Sequence, residues 1–169
     1  MAKRNADEMV APDSAERLRK TILDYLAAHN AMTIASSDKN VPWASAVFYA
    51  SEELDLYFIS NPRSRHGTNI AANSWVSAAV HEDPNNWKEI RGIQLEGVAD
   101  LVRSPKGKIR FWEIYRKKFP FVDAFFQPGS VHEIVKAKIA GVRLYRIVPR
   151  AVWYLDNRLG FGHREQLPL

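Results

Sequence analysis

One short segment of the chain, Ser60-Asn61-Pro62-Arg63-Ser64-Arg65-His66-Gly67, gathers hydroxyls and cations around a proline-broken turn. It follows a strand-like run, Leu56–Ser60, and leads into a stretch that reads as a short helix over 65–73. The first turn of a helix exposes backbone amides that attract anions. A hydroxyl and two guanidinium groups beside those amides make a phosphate site. The same residues also suit ordinary surface chemistry, with Ser64 serving only as an N-cap. Spacing by itself leaves both readings open.

Other chemistries are excluded by residue types and motifs. The chain has no cysteine, which removes disulfides, thiolate zinc, iron–sulfur clusters and a cysteine nucleophile. It has no GxGxxG, no GxxxxGK(S/T) and no GxSxG. The histidines, His29, His66, His81, His132 and His163, show no ligand spacing, so no metal is expected. Asp and Glu are scattered, and no catalytic carboxylate pair can be nominated.

The segment needs a scaffold, and periodicity indicates one. Asp13 and Glu16 have capping-box spacing. Leu18, Ile22, Tyr25, Leu26 and His29 recur as on one face of a helix, predicting an amphipathic helix over 14–29. Met32 to Ala35 is β-like, and Ser36–Asn40 reads as a polar turn. Val41–Tyr49 and Leu56–Ser60 read as a hairpin closed by Ser51–Asp55. After the 65–73 helix, Trp75–His81 is a strand and Asp83-Pro84-Asn85-Asn86 a loop. From Ile93 the side chains alternate, with Ile93, Leu95 and Gly97 on one face and Gln94, Glu96 and Val98 on the other. Gly97 marks a bulge or a close approach. Lys108–Phe119 is helical, with Phe111, Trp112 and Tyr115 on its apolar side and Pro120 ending it. A further short helix is expected over 130–138. Val142–Tyr154 is a long β segment interrupted at Pro149, and the tail from Asp156 to His163 is turn-rich. Strands joined mostly by tight turns predict a mainly β, α+β fold, an antiparallel barrel with peripheral helices.

At 169 residues, 46% hydrophobic and 25% charged, the chain has the size and composition of one domain, expected over 13–169 behind a flexible tail of residues 1–12. The start has no apolar stretch of a signal peptide, and no run approaches a membrane span. With the lack of cysteine, a cytoplasmic protein without a membrane partner is expected. The net charge of +5 is concentrated in Arg103, Lys106, Lys108, Arg110, Arg116, Lys117 and Lys118. That run reads as the solvated face of a helix or as a nucleic-acid patch. No nucleic-acid-binding motif accompanies it, so nucleic acid is not expected as a partner.

The stretch PWASAVFYASEELDLYFISNPRSRHGTNIAANSWVSAAV resembles the pyridoxamine 5′-phosphate oxidase-related, FMN-binding split-barrel family. Ser60-Asn61 and Ser64-Arg65-His66 fall on the family's Thr/Ser-Asn and Ser-Arg-Lys positions. RGIQLEGVADLV is similar to its next core strand, and YRKKFP and WYLDNRLGFGH to a poorly characterised bacterial branch. The likeness runs from about residue 14 to 164.

The resemblance implies a split barrel, a homodimer, and FMN held in a cleft between two protomers. Ser45, Ala46, Val47, Phe48 and Tyr49 would run beside the isoalloxazine ring, with their backbone bonding its edge. Ser60 and Asn61 would sit near the ribityl chain and phosphate. Ser64 would open the helix, and Arg65 and His66 would face the phosphate. The other protomer would supply Trp153 and either Arg164 or His163; Gln94 is a further candidate, although the family's glutamine aligns nearer Gly92. True oxidases of this kind carry an arginine and a lysine where this chain has Ala44 and Tyr49, and a lysine where it has His66. The implied function is an FMN-binding oxidoreductase acting on an unknown small molecule, and not pyridoxamine phosphate oxidation. The alternative is non-catalytic storage or sensing of flavin, deazaflavin or haem. No catalytic residue is assigned; Tyr49 and Arg158 are the polar groups to test first.

Overall fold

The computed structural model describes residues 12–126 and 141–169. Helix α1 (Pro12–Ala28) precedes strands β1 (Ala31–Asp38), β2 (Val41–Glu52) and β3 (Asp55–Ser60). Helix α2 (Arg65–Ala72), β4 (Trp75–His81), β5 (Arg91–Leu101), α3 (Pro105–Lys118), β6 (Arg143–Asp156) and β7 (Arg164–Leu167) follow. The strand order is β3-β2-β1-β4-β5-β6-β7, and β3 also pairs with β6. Every pairing is antiparallel. The β3–β6 pairing closes six strands into a barrel, with β7 attached to β6 outside the ring.

Inward side chains come from every second position, as the pleat demands. Met32 and Ile34 of β1, Val76, Ala78 and Val80 of β4, and Ile93 and Leu95 of β5 form one buried core. Helix α1 adds Leu18, Ile22, Tyr25 and Leu26 to it. A second cluster forms on the opposite face of β2 and β3, where Phe111 and Tyr115 of α3, with Phe119 and Val122, cover Ala50 and Tyr57.

Two strands do double duty. In β2, Val41–Phe48 pairs with β1, whereas only Tyr49–Glu52 pairs with β3. Among the described residues, Val41–Phe48 therefore has no strand along its second edge, and the barrel is split there. In β6, Arg143–Ile147 pairs with β3 and Val152–Leu155 with β7. Between those halves the register against β5 shifts: Gly97 faces Pro149 and Glu96 faces Ala151, so Arg150 is the extra residue of a bulge. A Cβ on Gly97 would lie 2.4 Å from the Val148 carbonyl oxygen, so only glycine fits. The interruption expected at Pro149 and the close approach expected at Gly97 are one feature.

The antiparallel barrel expected from the sequence is the observed fold, and several local boundaries differ. Ser36–Asn40 is not a turn: β1 runs to Asp38, and only Lys39 and Asn40 turn, with φ of 50° and 63°. Ser36 stays in the strand because Asn69 of α2 donates to its hydroxyl at 3.2 Å, which satisfies a polar group inside. The next hairpin is also tighter than Ser51–Asp55, since β2 extends to Glu52 and Glu53-Leu54 make the turn. Asp13 lies within the first turn of α1 and pairs with Arg17 at 3.4 Å, so it is not the N-cap. Helix α3 begins at Pro105, three residues before the expected start, because Ser104 N-caps it by accepting from the Gly107 amide. Beyond the turn-rich stretch from Asp156 to His163 comes an unexpected strand, β7. The helix expected over 130–138 lies outside the described residues, as do residues 1–11.

Candidate functional site

The fold gathers the expected site residues into two groups, one at the start of α2 and one on the outer face of β5, β6 and β7. The first grows from the end of β3. Asn61 turns the chain: its Oδ1 accepts from the Arg63 amide at 2.9 Å, and its carbonyl accepts from the Ser64 amide at 2.9 Å and the Ser64 hydroxyl at 2.7 Å. Ser64 then N-caps α2, its Oγ accepting from the Gly67 amide at 3.2 Å. The loop lies hard against the helix. A Cβ on Gly67 would stand 2.7 Å from the Asn61 carbonyl oxygen.

His66 ties this turn to the barrel. Its Nε2 lies 2.5 Å from Ser60 Oγ and 3.2 Å from Ser64 Oγ, and its Nδ1 lies 3.1 Å from Ser45 Oγ on β2. Burial pulls the imidazole below its ordinary value of 6.5, so it is neutral at pH 7. The fixed cation is Arg65, whose guanidinium carbon sits 4.3 Å from the centroid of the Trp43 ring. The amides of Arg65 and His66 occupy the first turn, where no intrahelical acceptor exists. Hydroxyls, one guanidinium and free amides form a donor set suited to a phosphate monoester.

The split edge of β2 runs beside this group. Ala46 is exposed, and Phe48 is 55% exposed with its ring edge-on to Phe119 at 5.5 Å. Val47 is half-buried against the main core. Tyr49 is fully buried: its hydroxyl donates to the Leu26 carbonyl at 2.8 Å. Desolvation drives the phenol pKa far upward. The Tyr49 hydroxyl is thus turned away from anything outside the barrel, its amide donates to the Asn30 carbonyl at 3.0 Å, and its side chain has the packing role. Beneath it, Lys118 Nζ donates to the carbonyls of Leu26 and His29 at 3.0 and 2.5 Å.

The second group unites Gln94, Trp153 and Arg164. Gln94 and Trp153 are register partners, and Arg164 Nη1 donates to Gln94 Oε1 at 2.9 Å. All three line one cavity of about 400 Å³, floored by Thr33, Ala35, Ser77 and Ala79 and flanked by Glu96. That volume lies within the roughly 300–1,000 Å³ of small-molecule sites. Thr33, Ser77 and Glu96 escaped the sequence reading because an outward small or acidic residue on a strand has no signature beyond alternation. Arg158 is not in this group. Its guanidinium grips the buried Asp156 at 2.6 Å and holds that carboxyl below the usual range. His163 pairs with Glu165 at 3.0 Å.

The two groups do not meet within one chain. One register row reads Ala46, Thr33, Ala79, Gln94 and Trp153 across β2, β1, β4, β5 and β6. At about 4.8 Å per strand spacing, β2 and β5 are separated by roughly 14 Å. Ser45 also points to the other side of the sheet, since its partner Ile34 is a core residue. Among the described residues no His, Asp and Glu cluster could hold a metal, and no helix is long and apolar enough to cross a membrane.

Comparisons with known proteins agree with this architecture. The family model described as pyridoxamine 5′-phosphate oxidase matches residues 18–155. A UPF0306 protein of Cronobacter sakazakii is 26% identical over 145 residues, covering 85% of this chain and 90% of the relative. An FAD-binding protein of Mesorhizobium loti superposes with a TM-score of 0.59 at 19% identity, covering 79% of this chain and 90% of that one. The haem storage protein HutZ of Vibrio cholerae superposes with a TM-score of 0.63 at 16% identity, covering 80% and 92%. The structural likenesses establish the fold. Because the family match takes in all six barrel strands and the turn that opens α2, the chain belongs to the pyridoxamine 5′-phosphate oxidase family.

Proposed function

We propose that this chain binds FMN between two copies of itself and works as a flavin-dependent oxidoreductase on a small molecule other than pyridoxamine 5′-phosphate. The observation that carries this reading is the pair of separated half-sites. A hydroxyl and guanidinium group suited to a phosphate lies at the start of α2, and an aromatic cavity with Gln94 and Arg164 lies on the outer sheet face. One copy cannot bring both onto one ligand, whereas two copies related by a twofold axis can, each giving what the other lacks. The edge of Val41–Val47 that no strand covers supports the same reading, since its outward backbone groups suit the polar rim of a flavin ring.

Within such a site Arg65, Ser60 and Ser64 would hold the phosphate. Trp153, Gln94 and Arg164 of the second copy would close over the ring. A bound flavin supplies hydride or electron transfer, while the protein supplies position, polarity and exclusion of water. Ala44 carries no charge, and the Tyr49 hydroxyl is turned inside. The two cations expected by a phosphorylated vitamin substrate are therefore missing from β2.

Haem binding is the competing reading, prompted by the likeness to HutZ. Among the described residues, those that line the outer cavity include no histidine, methionine, tyrosine or cysteine to serve as an axial ligand, which favours flavin. The test is an absorbance spectrum of the purified protein, mass spectrometry of any released ligand, an FMN titration and light scattering. A flavin spectrum or saturable FMN binding on a dimer is expected. A monomer at micromolar concentration that ignores FMN would overturn the proposal, and a Soret band would replace flavin with haem.

A further inference from the structure

We propose that His66 couples phosphate binding at the start of α2 to the uptake of one proton. This rests on the FMN reading above and adds how this chain's own residues would hold the phosphate. The imidazole is caged by hydroxyls, Ser60 and Ser64 at Nε2 and Ser45 at Nδ1. A hydroxyl both donates and accepts, so this cage serves a neutral ring and a protonated one without any heavy atom moving.

The two states differ in what remains for a ligand. A neutral ring has one N–H and one lone pair, so one caging hydroxyl must spend its hydrogen on the ring. A protonated ring donates from both nitrogens into Ser45 and the Ser60–Ser64 pair. The hydrogen that the neutral ring had accepted, from Ser60 at Nε2 or from Ser45 at Nδ1 according to the tautomer, is then free to turn away. Ser64 is already committed, since its hydroxyl lies 2.7 Å from the Asn61 carbonyl. One proton on His66 therefore adds a positive charge and releases a donor, both of which suit an anion.

The surroundings keep the ring neutral until an anion arrives. From β2 it faces Ser45, and from the end of β3 and the following loop it faces Ser60 and Ser64. The charged residues of that loop and helix start, Arg63 and Arg65, are cations. On β1, the group that meets α2 opposite Asn69 is the hydroxyl of Ser36. No carboxylate is bonded to the ring among the described residues. Burial lowers its proton affinity, and a phosphate dianion at the helix start reverses the balance. A lysine at this position would carry its charge at all times; histidine makes the charge conditional on the ligand.

The experiment follows the His66 ring signals of the full chain by NMR against pH, in the free protein and with FMN, riboflavin or inorganic phosphate. FMN affinity is measured by fluorescence quenching at pH 7 and pH 9 for the parent, His66→Lys and His66→Gln. The expected result is a titration midpoint below 6.5 in the free protein that rises above 7 with FMN and not with riboflavin. Parent affinity for FMN should fall about twofold between pH 7 and pH 9, while both variants stay level. A midpoint unmoved by FMN, or one pH profile shared by the parent and His66→Gln, overturns the coupling and leaves the cofactor reading standing. If no flavin binds at any pH, the cofactor reading fails and inorganic phosphate decides. A midpoint raised by phosphate sustains the coupling for another phosphate ligand, and an unmoved one ends both.

Discussion

Lys118 offers a direct test of how the fold carries a sequestered charge. Its Nζ donates to the carbonyls of Leu26 and His29 at 3.0 and 2.5 Å and stands 4.2 Å from the centroid of the Tyr49 ring. These partners favour the ammonium, but burial outweighs them and pulls Lys118 to about 8 from 10.5. With the folded value below the unfolded one, the unfolded chain binds more protons between about pH 8 and 10.5. Stability therefore rises with pH across that window. Carried to pH 9.5, the full difference is worth about 2 kcal/mol, and solvent screening of a half-buried group reduces this to about 1 kcal/mol. The window stops at pH 9.5 for a reason. Burial pushes Tyr25 and Tyr115 up to about 12 and Tyr49 higher still, so ionisation of the unfolded phenols near 10 opposes folding beyond it. The assay is urea unfolding at pH 7 and pH 9.5 of the parent and Lys118→Met. The parent should gain about 1 kcal/mol relative to the variant between the two conditions. An equal pH response in both proteins, or a relative loss by the parent, refutes the reasoning.

Arg65→Ala should weaken FMN binding about tenfold to a hundredfold, because a charge-assisted bond to phosphate is worth roughly 1.5–3 kcal/mol; equal affinity by titration would make Arg65 a surface cation resting on Trp43. Tyr49→Phe should cost about 1 kcal/mol in chemical denaturation and leave FMN affinity unchanged, since its hydroxyl serves Leu26 inside the fold. A loss of cofactor in that variant would contradict the inward orientation. Saturated with FMN, the protein should form no pyridoxal phosphate from pyridoxamine 5′-phosphate under oxygen, and turnover of roughly 1 per second or faster would reverse the proposal.

Trp75–His81 was legible to the residue, because its alternation is bounded by Asn73-Ser74 on one side and Asp83-Pro84 on the other. Strand β7 was not. Arg164-Glu165-Gln166-Leu167 shows one apolar side chain, and it becomes a strand through pairing with Val152–Leu155. Ser36 and Ser37 read as a turn by composition, yet hydroxyl contacts with Asn69 of α2 and with Asn73, which follows that helix, keep them in β1. At the candidate site, the local order of Ser60, Ser64, Arg65 and His66 was visible in sequence. The bond between His66 and Ser45, twenty-one residues apart, was not, and neither was that between Arg164 and Gln94, seventy apart. The orientation of Tyr49 was hidden for a different reason. Val41–Tyr49 is apolar at almost every position, so no alternation marks which side chains enter the core.

The closure of the barrel by β3 and β6 has a consequence for how the chain assembles. The ion pair between Asp55 and Arg146 spans ninety-one residues, and the β3–β6 ladder runs from Leu56 opposite Ile147 to Ser60 opposite Arg143, eighty-three residues apart. Five of the six barrel strands are synthesised before the strand that seals the ring. Until β6 emerges, β3 presents an open edge, the feature that invites pairing with another chain. Joining partners so distant in sequence is a slow step, because the intervening loop must close before any contact rewards it. The barrel thus completes late and all at once, and a nascent chain that stops before Arg143 holds an open sheet in place of a smaller barrel.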